Sequence, residues 1–306
     1  MATRKILSIV LTAHNCEAYL NDALSSLKHA LGGMAEGYEI ILISDASTDR
    51  TAEMLQRFAS DNAHTQVFQV EFRNIGKVRN FAIQQCSGEY VTMIDGDDQV
   101  LPGSLADIMR YLAATKPDLL LTGLNEIYPH SKQPVTWGGL QPKPLTQQAA
   151  IKTFLIHKDF QAHFIGQFIR RALLAAHPFP EFKCYEDAYL FPTILNHCRN
   201  IIFSPRGHYL YFKRGNSLSS QIDEQKINLL VEATAKMDRD FGPQYANLIA
   251  CHWLKIYQRY GETLPDSRNR QRIIARINSI RPLSFLLDPA IRLSFKRKYL
   301  QARHGK

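Results

Sequence analysis

A chain of 306 residues with 37 Lys/Arg, 28 Asp/Glu and 45% hydrophobic residues can bury a full α/β core, as one large domain or two modest ones. Its longest apolar stretches, such as Ile6 to Ala13, fall far short of the roughly 20 residues a membrane-spanning helix needs, so no transmembrane helix is expected. The apolar octet after Arg4 and Lys5 runs into His14-Asn15-Cys16-Glu17 without a small-residue cleavage site, and the five cysteines are widely spaced with no Cys-x-x-Cys; the expectation is a cytoplasmic protein without structural zinc.

The first 125 residues alternate between the two periodicities of strand and helix. Ile6 to Thr12 reads as a buried strand, and Leu20, Ala23, Leu24, Leu27 and Leu31 follow at helical spacing. Glu39 to Ile43, Gln66 to Phe72, Tyr90 to Ile94 and Leu119 to Thr122 read as strands; Thr51 to Ala59, Lys77 to Gln85 and Leu105 to Ala114 read as helices between them. This order predicts an α/β fold with a doubly wound, mostly parallel sheet. Residues 126 to 145, rich in Pro and Gly, read as a loop or hairpin excursion. Helical spacing returns at Gln147 to Ile156 and Phe168 to Ala175, and a further helix is expected from Glu186. Two short strands are expected at Ile201 to Phe203 and His208 to Phe212. From Ile222 onward the pattern is helical, broken at Gly242-Pro243, Gly261 to Pro265, Pro282 and Pro289.

The net charge of +9 is unevenly distributed. Residues 251 to 306 hold 13 Lys/Arg and 3 Asp/Glu, against 24 and 25 in residues 1 to 250. Such a basic tail beside a neutral body is either a solvated helical face or a surface drawn to a polyanion.

Ligands of doubly wound sheets bind at the carboxyl ends of the strands, and four such ends are polar here. They carry Thr12-Ala13-His14-Asn15, Ser44-Asp45-Ala46-Ser47-Thr48-Asp49, Arg73-Asn74 and Asp95-Gly96-Asp97-Asp98. The last is the most informative, because carboxylates crowded at a strand end raise one another's pKa unless a cation joins them, which points to a divalent metal and a metal-bound diphosphate. An ordinary solvated turn is the competing reading. Asp45 could accept from a nucleobase N–H, and Arg79, beside Asn80, could bring a guanidinium to a diphosphate or base. Glu186-Asp187 is either a pair of acids complementing a helix N-terminus or a general base.

In this order and on these elements, the motifs resemble family 2 glycosyltransferases of the GT-A fold. The resemblance covers roughly residues 5 to 220 and includes Asn74-x-Gly76, Arg79-Asn80, Cys184-Tyr185-Glu186-Asp187 and Tyr211-Phe212-Lys213-Arg214-Gly215-Asn216-Ser217. The chain departs from the family pattern at Thr12-Ala13-His14, where Pro-Val-Tyr is usual, at Ser44, where an acid is usual, and in a shorter Gly76 to Arg79 segment. The resemblance implies a GT-A domain over residues 1–220, with a sugar-nucleotide half at 1–125 and an acceptor half at 126–220, and a helical basic extension at 221–306. It implies Mg or Mn held by Asp97 and Asp95, and a nucleotide-sugar donor, UDP-sugar by family frequency, bound by Thr12, Ala13, Asn15, Asp45, Arg79, Asp95, Gly96, Arg214 and Ser217. Asp187 would be the base of an inverting transfer, with Glu186 orienting it or holding the acceptor.

The acceptor side is expected to involve Trp137, Gln167 and Tyr185, with Trp137 either a sugar platform or a core residue. The acceptor implied is a glycan or lipid-linked hydroxyl, as in surface-polysaccharide or lipopolysaccharide synthesis. His208 is either structural or a metal ligand. A sugar-phosphate nucleotidyltransferase is the nearest enzymatic alternative, but Ala13-His14-Asn15-Cys16 lacks the Gly-rich loop that would bind a triphosphate. A nucleic-acid or polyanion binder using the basic tail is the other alternative; no RNA-recognition signature accompanies it, and nucleic acid is not an expected partner. Apolar residues interleaved with Arg and Lys between Arg268 and Lys306 fit either peripheral association with the inner face of an anionic membrane or packing onto the catalytic domain.

Overall fold

The computed structural model describes residues 5–129, 134–214, 223–261, 264 and 268–303. The first half comprises β1 (Leu7–Ala13), α1 (Glu17–Ala30), β2 (Tyr38–Asp45), α2 (Thr51–Ser60), β3 (Thr65–Val70), α3 (Ile75–Gln85), β4 (Tyr90–Asp95), β5 (Gln99–Val100), α4 (Ser104–Thr115) and β6 (Leu119–Ile127). The second adds β7 (Lys143–Leu145), α5 (Gln147–Leu155), β8 (Phe168–Arg170), α6 (Arg171–Ala176), α7 (Glu186–His197) and β9 (Ile201–Phe212). After β9 the described residues form helices: α8 (Glu224–Asp240), a 3-10 turn, α9 (Ala246–Tyr260), α10 (Arg268–Asn278), α11 (Pro282–Leu287) and α12 (Leu293–Arg303).

Among the described residues the strands build one sheet in the order β3-β2-β1-β4-β8-β6-β9-β5, with β7 paired to β9. β1 lies parallel between β2 and β4, and β2 is parallel to β3, so four consecutive carboxyl ends share one edge. Successive residues alternate between two cores. Leu7, Ile9 and Leu11 of β1 join Ile40 and Leu42 of β2 on one face, while Val10, Ile41 and Ile43 bury on the other. Burial on both faces is why these strands read as continuous apolar runs. The stripe Leu20, Leu24, Leu27 and Ala30 of α1 covers the first face at the 3–4 spacing that a helix requires.

The opposite end of the sheet is tied by a buried charge. Glu39, 1% exposed, accepts from Lys5 Nζ (2.7 Å), Ser8 Oγ (2.6 Å), Ser87 Oγ (2.8 Å) and Gly88 N–H (3.0 Å). Burial alone would raise its pKa, but these donors outweigh that cost and bring it down to about 2.

Three local expectations change. Phe168 to Arg170 is a strand wedged antiparallel between β4 and β6, not the start of a helix; three residues are too few to show a period of two. The two strands expected at 201–203 and 208–212 are one strand, β9, whose pairing with β6 slips between Thr122 and Leu124. The irregular 126–145 segment contributes the end of β6 and all of β7, and the two-residue β5 has no sequence signal at all.

The C-terminal helices pack onto the rest of the protein. Trp253, Ile273, Ile277, Phe285, Ile291 and Tyr299 belong to the same buried cluster as Val10 and Ile41 of the sheet. Arg276 on α10 pairs with Asp238 on α8 at 2.9 Å, and Arg272 pairs with Glu232.

Candidate active site

The carboxylates at the end of β4 occupy three different settings. Asp98 is buried: Tyr209 OH donates to its Oδ2 (2.8 Å) and Phe212 N–H to its Oδ1 (2.9 Å), and burial with the nearby Asp95 pushes its pKa up to about 7. Asp98 therefore fastens the Asp turn to β9. Tyr209 OH also accepts the Asp95 N–H (3.0 Å), so one phenol holds both ends of the turn. Asp95 itself accepts weakly from Thr12 Oγ1 (3.4 Å). Burial first, then the fields of Asp97 and Asp187, raise its pKa to about 6 against the opposing pull of Arg79. Asp97 is the open one, with 41% of its side chain exposed. Gly96 between them donates to Thr12 O (2.8 Å), and a Cβ there would fall 2.9 Å from the Ala13 Cβ; the first and fourth strand ends approach too closely for any side chain.

Beside this turn, the end of β2 is built around Asp45. Its Oδ1 accepts from Phe72 N–H (2.7 Å) and Arg73 N–H (2.9 Å), which fixes the carboxylate at the end of β3. His14 Nδ1 lies 2.6 Å from Asp45 O. Asn15, at φ 49°, accepts the Thr48 N–H on its side-chain oxygen at 2.8 Å and so ties the β1 and β2 loops together. Ser44, where the family has an acid, donates to Ser47 Oγ (3.0 Å).

The second half reaches the same crevice through α7. Arg79 on α3, 4% exposed, donates through Nη1 to Glu186 Oε1 (2.6 Å) and also to Asp187 Oδ1, and the Phe164 N–H donates to Asp187 Oδ2 (3.3 Å). Phe164 precedes the Ile165–Gly166 segment, which bridges to β4 through Gly166 N–H to Met93 O (2.9 Å). Burial would discharge Arg79, but the charges of Asp187 and Glu186 outweigh it and hold the guanidinium firmly charged. Burial and the neighbouring Asp187 push the Glu186 carboxyl upward. Arg79, expected at the donor, thus has its guanidinium on the two candidate catalytic acids.

Arg214 closes the open side. It donates through Nη1 to Asp97 Oδ2 (2.8 Å), contacts the Asp97 carbonyl, and stacks over the Tyr19 ring at 4.1 Å. A guanidinium therefore supplies the positive charge beside Asp97. Ser217 lies outside the described residues.

The acceptor candidates differ in what they have free. Gln167 is 3% exposed and its amide is engaged with the Thr122 backbone, accepting at 2.7 Å and donating at 3.2 Å, so it shapes the site's wall. Trp137 Nε1 donates to Asp107 Oδ2 (2.7 Å) and the ring packs against the first core, which favours its packing role. Tyr185, at φ 61°, is the half-buried residue preceding α7. His208 is buried among Trp137, Phe168 and Tyr209, its pKa lowered to about 3, and serves the core.

A cavity of about 180 Å³ opens next to Gln167, lined by Glu126, His157, Asp159, Gln161 and His163 among others. Residues the sequence reading did not single out include Tyr209, Tyr19 and His163. None stands in a motif, and only the pairing of β9 with β5 and β6 brings Tyr209 under the Asp turn.

A mixed sheet with carboxylates at one edge and a second-half acid pair facing them defines a glycosyltransferase of GT-A architecture. The chain belongs to glycosyl transferase family 2, whose family model matches residues 8–171. It is 27% identical over 220 residues to the poly(ribitol-phosphate) beta-N-acetylglucosaminyltransferase TarS of Staphylococcus aureus; the match covers 70% of this chain and 37% of that protein, so the chain spans little more than a third of its relative. It is 24% identical to an uncharacterized glycosyltransferase of Mycoplasma pneumoniae, over 70% of this chain and 71% of that one. The fold matches the crystal structure of TarS with UDP-GlcNAc at a TM-score of 0.71 and 19% identity, over 98% of this chain and 92% of that one. It also matches a mannosyltransferase of Pyrobaculum calidifontis in complex with GDP-Man and Mn2+ at 0.59 and 17%, over 100% and 87%. Among the described residues no helix is long and apolar enough to cross a membrane.

Proposed function

We propose that this enzyme is a metal-dependent inverting transferase that moves a sugar from a nucleotide-sugar, with UDP-sugar the first candidate, to a hydroxyl of a glycan or lipid-linked acceptor in surface-polysaccharide or lipopolysaccharide synthesis. The observation that carries the reading is the bridge between the halves: Arg79 on α3 of the first half donates to Glu186 and Asp187 of the second, and its charge and that of Asp187 both act on Asp95, which supports reading the two candidate centres as one site. UDP-GlcNAc in the structural relative supports a uridine donor.

The residues fit a hard divalent cation, Mg or Mn. Asp95 and Asp97 offer only oxygen, and burial plus like charges make Asp95 costly as an unaccompanied anion. Among the described residues no cluster of three or more metal-capable side chains exists, so diphosphate and water oxygens would complete the coordination. When bound, such a cation stabilises the charge that accumulates on a departing nucleoside diphosphate.

The protein's own residues account for the rest. Asp45 and Asn15 fix the loops that would hold the base and ribose, and Arg214 offers a second cation to the diphosphate. Asp187, oriented by Arg79 and the Phe164 N–H, takes the proton of the acceptor hydroxyl as its oxygen attacks the anomeric carbon from the face opposite the diphosphate. The new C–O bond forms as the donor C–O bond breaks, and one displacement inverts the centre. The cavity beside Gln167, with polar walls and His163 adjoining Phe164, suits a polyhydroxylated acceptor.

Calorimetry with UDP-sugars tests the metal assignment. Binding should be abolished by a chelator, restored by Mg or Mn, and absent in Asp97→Asn, whose amide keeps the shape but loses the charge. Equal affinity with and without metal would leave Arg214 as the sole cation at the diphosphate.

A further inference from the structure

The C-terminal helices bury one face and leave the other unusually apolar for a surface so rich in charge. Phe285 of α11 and Tyr299 of α12 are 0% and 1% exposed and meet with ring centroids 5.1 Å apart. The outward faces of the two helices therefore flank one another over a shared buried contact. On α11 the outward face carries Leu283 and Leu287, one turn apart and each 76% exposed; on α12 it carries Leu293, 73% exposed, and Leu300, 43% exposed. The spacing of four and then three residues puts Arg297 between Leu293 and Leu300 on the same stripe. Between Arg281 and Arg303 the chain has six Lys/Arg and one acid, Asp288, which is engaged by the Asn247 side chain at 2.9 Å.

We infer that this α11–α12 face docks on an anionic lipid bilayer, the leucines entering the interface and the surrounding Arg and Lys reaching the headgroups. Charge and apolarity together select this partner. A nucleic acid would satisfy the cations but offer nothing to four exposed leucines, whereas a second copy would cover the leucines and oppose two basic surfaces. At a bilayer, long basic side chains keep their charge at the phosphates while the apolar residues beside them enter the acyl boundary. The residue preceding α12 reaches toward the cavity described above: Arg292 Nη2 donates to Ile156 O at 3.4 Å, and the next residue, His157, lines that cavity. Docking beside it would suit a lipid-linked acceptor. That last point rests on the proposed function; the binding itself does not.

Flotation of the full chain with vesicles separates the outcomes. Wild type should float with an equal mixture of phosphatidylcholine and phosphatidylglycerol and stay behind with phosphatidylcholine alone. The triple variant Leu283→Gln/Leu287→Gln/Leu293→Gln, altered only at strongly exposed positions, should keep its melting temperature and donor hydrolysis but lose bilayer affinity by about tenfold or more. Lys296→Gln/Arg297→Gln/Lys298→Gln should lose the preference for anionic vesicles. Wild type that ignores both vesicles, or floats equally with both, overturns the proposal, as does a leucine variant that floats like wild type. A concentration-dependent dimer that the leucine variant abolishes, without flotation, would make the face an interface between copies.

Discussion

Asp187 receives two donors from different parts of the chain, the Arg79 guanidinium and the Phe164 N–H, and that fixes the direction of its carboxylate. Asp187→Asn should leave donor affinity intact, because no first-half ligand changes, and slow transfer by about 10²- to 10⁴-fold, the usual worth of a positioned general base. Parallel calorimetry and turnover check this, and a fully active variant would move the base to Glu186. The pair was legible in the sequence as acids opening a helix, but Arg79 was not legible as their partner. Arg79 and Asp187 are 108 positions apart, and an arginine inside a helix carries no mark of what it will meet. Gln167 shows the reverse case: the resemblance puts it on the acceptor side, but the saturation of its amide by the Thr122 backbone could not be read from the sequence.

At the scale of elements, α3 is the splice between the halves. Its N-cap Asn74 accepts the Lys77 N–H (3.1 Å) and donates to Glu181 O (3.0 Å), and Asn80 exchanges two hydrogen bonds with Phe179, donating at 2.9 Å and accepting at 2.8 Å. Gly76 sits so close to the 180–182 turn that a Cβ would lie 1.9 Å from Pro180 O. The motif that reads as Asn74-x-Gly76 with Arg79-Asn80 thus seats the segment leading into α7. Gly76→Ala should cost about 1–3 kcal/mol, as overpacking does, and should lower turnover more than donor affinity if α7 carries the proposed base. Chemical denaturation with steady-state kinetics checks both; unchanged stability would mean that the turn yields freely. Parallel strands and amphipathic helices were readable because they are long enough for a continuous apolar run or a helical stripe to show. β5, β7 and β8 were not, since strands of two or three residues exist only through their partners.

The molecule as a whole carries neutral histidines in its interior. Burial lowers the pKa of His208 and His252 to about 3, below the ordinary histidine value. At these sites the unfolded chain binds more protons, so their contribution to stability is full above about pH 6.5 and declines as pH falls toward these values, by about 1.4 kcal/mol per pH unit for each histidine at the steepest. Glu39, held down to about 2, adds a second loss from about pH 4.5 toward 2, as the unfolded carboxyl takes up a proton the folded one still refuses. The raised carboxyls of Asp98, Asp95 and Glu186 act in the opposite sense between pH 7 and pH 4, so the overall melting profile mixes both. NMR titration of the imidazoles separates them: His208 and His252 should stay neutral at pH 5, and protonation near pH 6.5 would show that these histidines are solvated in solution. The basic tail, legible as either membrane face or packing segment, does pack, and the leucines it leaves outside are known only once the buried side is.

In the proposed reaction Asp95 and Asp97 of one half and Asp187 of the other support a single in-line displacement. Proton NMR of donor hydrolysis tests this most directly, because water can serve as acceptor and no acceptor need be known. From an α-linked nucleotide sugar the sugar first released should be the β anomer, in a reaction that requires Mg or Mn and Asp187. Release of the α anomer first would contradict the account.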